Sequence, residues 1–141
     1  MLDSDVTIDY VPAARARDLI LQMSGGVIDH EVLYACTPAS SDLWVGYVDG
    51  VPVCAWGLVP PSILSDRAYL WLFASERVDE HKFLFVRYSQ RVMEHLKGLY
   101  PVLYGTCDLC NPRAIRWLQW LGAEFDPPVG DKALFHIGAV G

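Results

Sequence analysis

The residues with the most chemical potential lie in the second half of the 141-residue chain. Cys107-Asp-Leu-Cys110 has the spacing of a redox dithiol or of half a zinc site. A redox dithiol needs a thiol acidified by the positive end of a helix. The segment after Cys110 offers such a helix start, but the carboxylate of Asp108 opposes the acidification. A zinc site needs a second ligand pair, and Cys36 and Cys54 are not spaced as one. Packing at a strand end is therefore the expected role of the two thiols, and no metal is expected.

His81 is a candidate base, histidine being the side chain suited to proton transfer at neutral pH; the plainer alternative is a solvated histidine at a helix start. Asp108 can hold a substrate amine or accept its proton, or else serve as a capping carboxylate ahead of Asn111. Arg113, Arg116, Trp117 and Trp120 share one short segment. Trp and Arg are favoured at interface hot spots, so these four are a candidate partner-binding stripe. The alternative is that at least one of the two indoles packs in the core.

The hydrophobic pattern supplies the elements that must position these residues. Val6–Val11 alternates as a strand, and Ala13–Met23 is a helix with Ala13, Ala16, Leu19, Ile20 and Met23 on one face. Gly25-Gly26 breaks that helix, and a second short helix runs from about Val27 to Cys36. Leu43–Val48 and Val51–Val59 flank Asp49-Gly50, a pair suited to a tight type I′ turn, which predicts an antiparallel hairpin. Ala68–Ala74 is a continuous apolar run, expected as a central strand buried on both faces. Asp79 and Glu80 supply an N-cap and an acidic first turn, Phe85, Tyr88, Val92, Leu96 and Leu99 fall at helical spacing, and a helix is expected over Phe83–Lys97. Val102–Asp108 is a strand. Asn111-Pro112 caps a helix whose core face is Ile115, Leu118 and Leu121, and Ala133–Ile137 is a last strand. The strand–helix–strand unit requires a right-handed crossover between parallel strands.

Length allows one domain over residues 1–141, and 52% hydrophobic residues suffice for a core. A net charge of −6 argues against nucleic-acid binding, which calls for a basic face. The N-terminus lacks the basic, apolar pattern of a signal peptide, and no run reaches the length of a membrane span. A cytoplasmic location with four reduced thiols is expected.

The order of elements and the stretch CDLCNPRAIRWLQWLGAEF resemble the GNAT superfamily of acyl-CoA-dependent N-acetyltransferases. Cys107 ends the strand, and Asn111, Ala114, Ile115, Leu121 and Gly122 fit that family's pattern of strand, Asn, Ala-Ile helix and closing Leu-Gly. The arrangement IRWLQWLG looks more closely like GNAT-like proteins of short-tailed phages, the internal virion protein A type among them. By motif the resemblance covers Leu99 to Phe125, and by order of elements most of the chain.

The resemblance implies an α/β fold: a mixed, mostly antiparallel sheet with a central parallel strand pair and helices on both faces. It implies acetyl-CoA as cofactor, its pantetheine pairing with the backbone of the splayed central strand at Leu72, Phe73 and Ala74. Arg77 would open the diphosphate loop, and Asn111 would cap the next helix and touch the pantetheine arm. The reaction implied is direct attack of an amine on the thioester, with Asp108, His81 or a water as base. The acceptor would be an amine of a host protein or metabolite, in host cytoplasm.

Three positions depart from the family. Its diphosphate loop carries small residues, where this chain has Glu80 and Lys82, with Asp79 beside them. Two like charges at contact repel by about 4 kcal/mol in a surface-like dielectric, before screening by salt. Leu118 stands where many members carry a tyrosine acid, and Ala123 replaces the Phe of Leu-Gly-Phe, with Phe125 close by. These departures support a rival expectation, a catalytically degenerate GNAT-fold binding protein serving host takeover or virion assembly. Its partner would be a host or phage protein, or a second copy of the chain.

Overall fold

The computed structural model describes residues 5–24, 31–62, 64–75 and 77–138. The strands are β1 (Val6–Tyr10), β2 (Asp42–Val48), β3 (Val51–Val59), β4 (Arg67–Ala74), β5 (Val102–Asp108), β6 (Glu124–Phe125) and β7 (Lys132–Ile137). The helices are α1 (Ala13–Ser24), α2 (Thr37–Ala39), α3 (Arg77–Glu80), α4 (Lys82–Leu99) and α5 (Pro112–Trp120), and a π-helical turn, Glu31–Cys36, leads into α2. The strands form a mixed sheet in the order β1-β2-β3-β4-β5-β7-β6. Pairs β1–β2, β2–β3, β5–β7 and β6–β7 are antiparallel, and β4–β5 is parallel, as the crossover through α4 requires. Among the described residues no helix is long and apolar enough to cross a membrane.

Two compact units form, Met1–Val59 with Trp71–Leu84 and Pro60–Leu70 with Phe85–Gly141. In the first, Asp49 (φ 52°) and Gly50 (φ 80°) make the tight turn of the hairpin. Both central residues of a type I′ turn need positive φ, which Asp tolerates and Gly adopts freely. Tyr10, Trp44 and Trp56 stand opposite one another across β1, β2 and β3. Their rings meet edge to face at 5.6 Å and stacked at 6.3 Å. Helix α1 buries Ala16, Leu19 and Ile20, the predicted face, with Ala13 and Met23 half-buried at its margins. Trp71 is buried, and its indole lies so close to Gly57 that a Cβ there would come within 2.6 Å of Nε1. That nitrogen donates to Ser40 Oγ at 2.8 Å, and the hydroxyl of Ser40 donates to the Cys36 carbonyl at 2.7 Å.

In the second unit Leu103, Ala133, Phe135 and Ile137 are buried on β5 and β7. Helix α4 buries Ser89, Met93 and Leu96, and α5 buries Leu118. The two helices join where Trp117 Nε1 donates to Ser89 Oγ at 3.1 Å and the Phe85 and Trp117 rings meet at 5.1 Å.

Several expectations need correction. Strand β4 is not buried on both faces: Ala68 and Trp71 are buried, while Leu72 is 38% exposed and Ala74 is exposed. The cause is short pairing, since β5 accompanies β4 only over Arg67–Tyr69. Asp79 does not begin the helix. Val78 N–H already donates to the Ser75 carbonyl and His81 N–H to the Val78 carbonyl, so the chain turns helically at once after β4. The side chains of Asp79 and Lys82 lie outside the described ones. Leu99 is exposed, because the buried stripe runs through Ser89, Met93 and Leu96 and ends one turn earlier. The two-residue strand β6 was not expected, being too short for any periodicity. The Gly25-Gly26 break and residues 27–30 lie outside the described residues, and the helical segment described beyond them begins at Glu31.

Candidate functional site

In the first unit the expected cofactor residues follow one another along β4 and α3. Leu72, Phe73 and Ala74 form the end of β4, and the Ser75 N–H then donates to the Val53 carbonyl at 2.9 Å. Arg77 opens α3 and is exposed, as is Glu80 at its end. His81 is half-buried between α3 and α4. The segment expected as an open diphosphate loop is thus a helical turn, with the amides of Val78 and His81 bonded to Ser75 and Val78 carbonyls at 3.1 and 3.0 Å. Amides engaged in a helix do not serve an anion, and Glu80 adds negative charge. The β4 backbone suits a pantetheine arm better than α3 suits a diphosphate.

In the second unit the remaining residues gather at the end of β5. Asp108 ion-pairs with Lys132 across the β5–β7 ladder, and both side chains are about half exposed. The carboxylate therefore faces Lys132, and it is the Asp108 backbone carbonyl that receives the Asn111 N–H, at 3.1 Å. Asn111 caps α5: its Oδ1 accepts from Ala114 N–H at 3.2 Å, with Pro112 at the first helical position. Leu118 is buried.

The four-residue stripe on α5 divides. Trp117 is half-buried and turns toward Ser89 and Phe85, with Ser89 Oγ accepting its indole N–H. Trp120 is 50% exposed, and Arg113 and Arg116 are exposed beside it.

All four cysteines are free thiols. Cys107 is raised above the ordinary thiol range by desolvation and then by the neighbouring Asp108 carboxylate, the reverse of an activated redox thiol. Cys54, buried in β3, is pushed up to about 12 by burial. The Tyr10 hydroxyl is raised by its 2.7 Å hydrogen bond to Asp42. Among the described residues no three His, Cys, Asp or Glu side chains gather as metal ligands.

One polar pair escaped sequence reasoning. Tyr69 on β4 and Thr106 on β5 share a hydrogen bond of 3.1 Å between their hydroxyls. Tyr69 also meets the Tyr104 ring edge to face at 5.7 Å, and Tyr69↔Tyr104 is the last pair of the parallel ladder. The register between two strands separated by a helix is not written in either strand's own pattern.

No protein-family model and no curated protein sequence matches the chain. Solved structures do share its fold. An IAA acetyltransferase from Bacillus cereus superposes with a TM-score of 0.72 at 11% identity, covering 96% of this chain and 100% of that one. A GNAT-family acetyltransferase from Streptococcus pneumoniae gives 0.68 at 12%, covering 95% and 100%. The yncA protein of Salmonella typhimurium, solved with its cofactor acetyl-CoA, gives 0.67 at 12%, covering 94% and 93%. The fold is that of the GNAT acetyltransferases.

Proposed function

We propose that the protein is an acyl-CoA-dependent N-acetyltransferase of phage type that acylates an amine of a host protein or metabolite. The observation that carries this reading is the parallel β4–β5 pair, joined by α4, whose ladder stops at Tyr69↔Tyr104. Past that pair the β4 backbone has no ladder partner in β5, which suits an amide-bearing pantetheine arm along Leu72, Phe73 and Ala74. Acetyl-CoA supplies an activated acetyl group when bound. Arg77, exposed on α3, offers a cation to the diphosphate in place of bare amides. Backbone N–H groups of β4 polarise an acyl carbonyl as an oxyanion hole does. Of the expected bases, Asp108, His81 or a water, Asp108 is engaged by Lys132, which leaves His81 or a water to take the amine proton. Four free thiols fit the reducing cytoplasm of a host cell.

The rival reading, a binding protein on a GNAT scaffold, draws on the half-exposed Trp120 with Arg116 and on the helical turn in place of a loop. The two separate on one assay. Purified protein is incubated with acetyl-CoA and either spermidine or a lysine peptide, and thiol release and acetylated product are measured. Product above the uncatalysed background supports the enzyme, and none with either acceptor leaves the binding protein.

A further inference from the structure

We propose that the seam between α4 and α5 is a docking surface for an acidic segment of a partner protein, held by arginines around the half-exposed Trp120. The surface lies wholly within the second unit. It does not depend on acyl transfer: it gives the binding-protein reading a partner chemistry and suits an active enzyme equally. The seam is built on Trp117, whose ring meets Phe85 at 5.1 Å and whose indole N–H donates to Ser89 Oγ at 3.1 Å. Residues three and four apart on a helix share a side. Arg113, one turn before Trp117, and Trp120, one turn after it, therefore flank the seam along α5, and Arg116 stands one turn before Trp120. On α4, Tyr88 follows Phe85 by three residues, and the Arg91 guanidinium lies over its ring at 5.3 Å. Arg91, Arg113 and Arg116 are exposed, and Trp120 is 50% exposed.

Charge complementarity points to the partner. The chain as a whole carries −6, yet residues 85–120 hold five Lys or Arg against two carboxylates. Both carboxylates are engaged by lysines, Glu94 by Lys97 at 3.2 Å and Asp108 by Lys132. Among the described residues no carboxylate forms an ion pair with Arg91 or Arg116. A guanidinium matches a carboxylate with two parallel hydrogen bonds, and one already stacked on a tyrosine ring gives up little freedom in making them. The half-exposed indole adds apolar area that a Leu or Phe of the partner can cover. A nucleic acid fits less well. It brings a phosphate at every step, and the net −6 of the chain repels so dense a polyanion. A few carboxylates instead meet the local arginines within a screening length of about 10 Å.

The test uses the whole chain and a short synthetic peptide of glutamates around one Phe and one Leu, followed by fluorescence anisotropy. Beside it are titrated the same peptide with lysines in place of the glutamates and a single-stranded oligonucleotide of equal length. The variants are Arg91→Gln, Arg116→Gln and Trp120→Ala, with Arg15→Gln on α1 as an exposed control of the same charge change. The expected result is binding of the acidic peptide alone, weakening as salt rises. Its affinity should fall by roughly tenfold in Trp120→Ala and by roughly threefold to tenfold in Arg91→Gln and Arg116→Gln. Melting temperatures and the Arg15→Gln affinity should stay at wild-type values. No binding of the acidic peptide overturns the proposal, and so does equal or tighter binding of the oligonucleotide. Equal losses in Arg15→Gln and Arg116→Gln, or full affinity in Trp120→Ala, also overturn it, because the attraction is then diffuse. A fall in melting temperature that accounts for the lost affinity does so as well. Thiol release from acetyl-CoA by the same protein tests the acetyltransferase reading separately, so failure of one leaves the other standing.

Discussion

Trp117 donates its indole N–H to the hydroxyl of Ser89, which itself donates to the Val86 carbonyl at 2.7 Å, so one buried serine fastens α5 to α4. Replacing Ser89 with Ala leaves the indole N–H without its acceptor. We expect a loss of about 1–3 kcal/mol in urea denaturation. Trp120→Ala should change stability by no more than about 0.5 kcal/mol, since half of that side chain is already in water. If a partner uses α5, Trp120→Ala and Arg116→Ala should weaken its capture in a pull-down while leaving the melt intact.

Gly57 lies against the indole of Trp71, with ring atoms 2.6 to 2.7 Å from where a Cβ would stand. Gly57→Ala must displace a buried ring that also holds Ser40. Overpacking of this kind costs about 1–3 kcal/mol, so a lowered melting temperature is expected, along with a shift in Trp fluorescence. A melt equal to wild type would show that the ring moves freely.

Burial pushes the Cys54 thiol up to about 12 from its ordinary value of 9.0. The folded state therefore holds this proton where the unfolded chain releases it. The stabilisation is fully present below about pH 9 and is lost as pH rises toward 12. Cys54→Ala should show a shallower fall in stability over that range. At pH 8 a maleimide should label the exposed Cys110 quickly and the buried Cys54 only on unfolding.

Glu80 places an exposed carboxylate at the end of α3. Glu80→Gln keeps the helical turn and removes the charge. Exposed charges contribute about 0.2–1 kcal/mol, so acetyl-CoA affinity should rise by a factor of roughly 1.4 to 5 at low salt, and by less at high salt. Calorimetry at two ionic strengths checks both the direction and the screening.

The sequence carried the β4–α4–β5 unit in plain form. The Ala68–Ala74 run and the Phe85–Leu96 stripe are each long enough to state their own period, and Asn111-Pro112 and Asp49-Gly50 are local signals that tertiary contacts do not override. The features that were not legible depend on neighbours. Whether Arg77–Glu80 coils or opens is decided by where the Val78 and His81 amides find acceptors. Trp117 turns inward because Ser89 waits on α4, a residue no hydrophobic stripe would select. Tyr69 meets Thr106 because a parallel register aligns Tyr69 with Tyr104, and that register is set by packing along a crossover, not by either strand alone.

The β4 backbone is proposed to hold an acyl-CoA while α3 contributes little grip on its diphosphate. The direct measurement is a calorimetric titration of the intact protein with acetyl-CoA and with S-acetylpantetheine, which lacks the diphosphate. We predict binding of both, each weaker than micromolar, with the two dissociation constants within about tenfold, that is about 1.4 kcal/mol. Absence of binding to both ligands would contradict the claim, and so would tight acetyl-CoA binding that disappears when the diphosphate is removed.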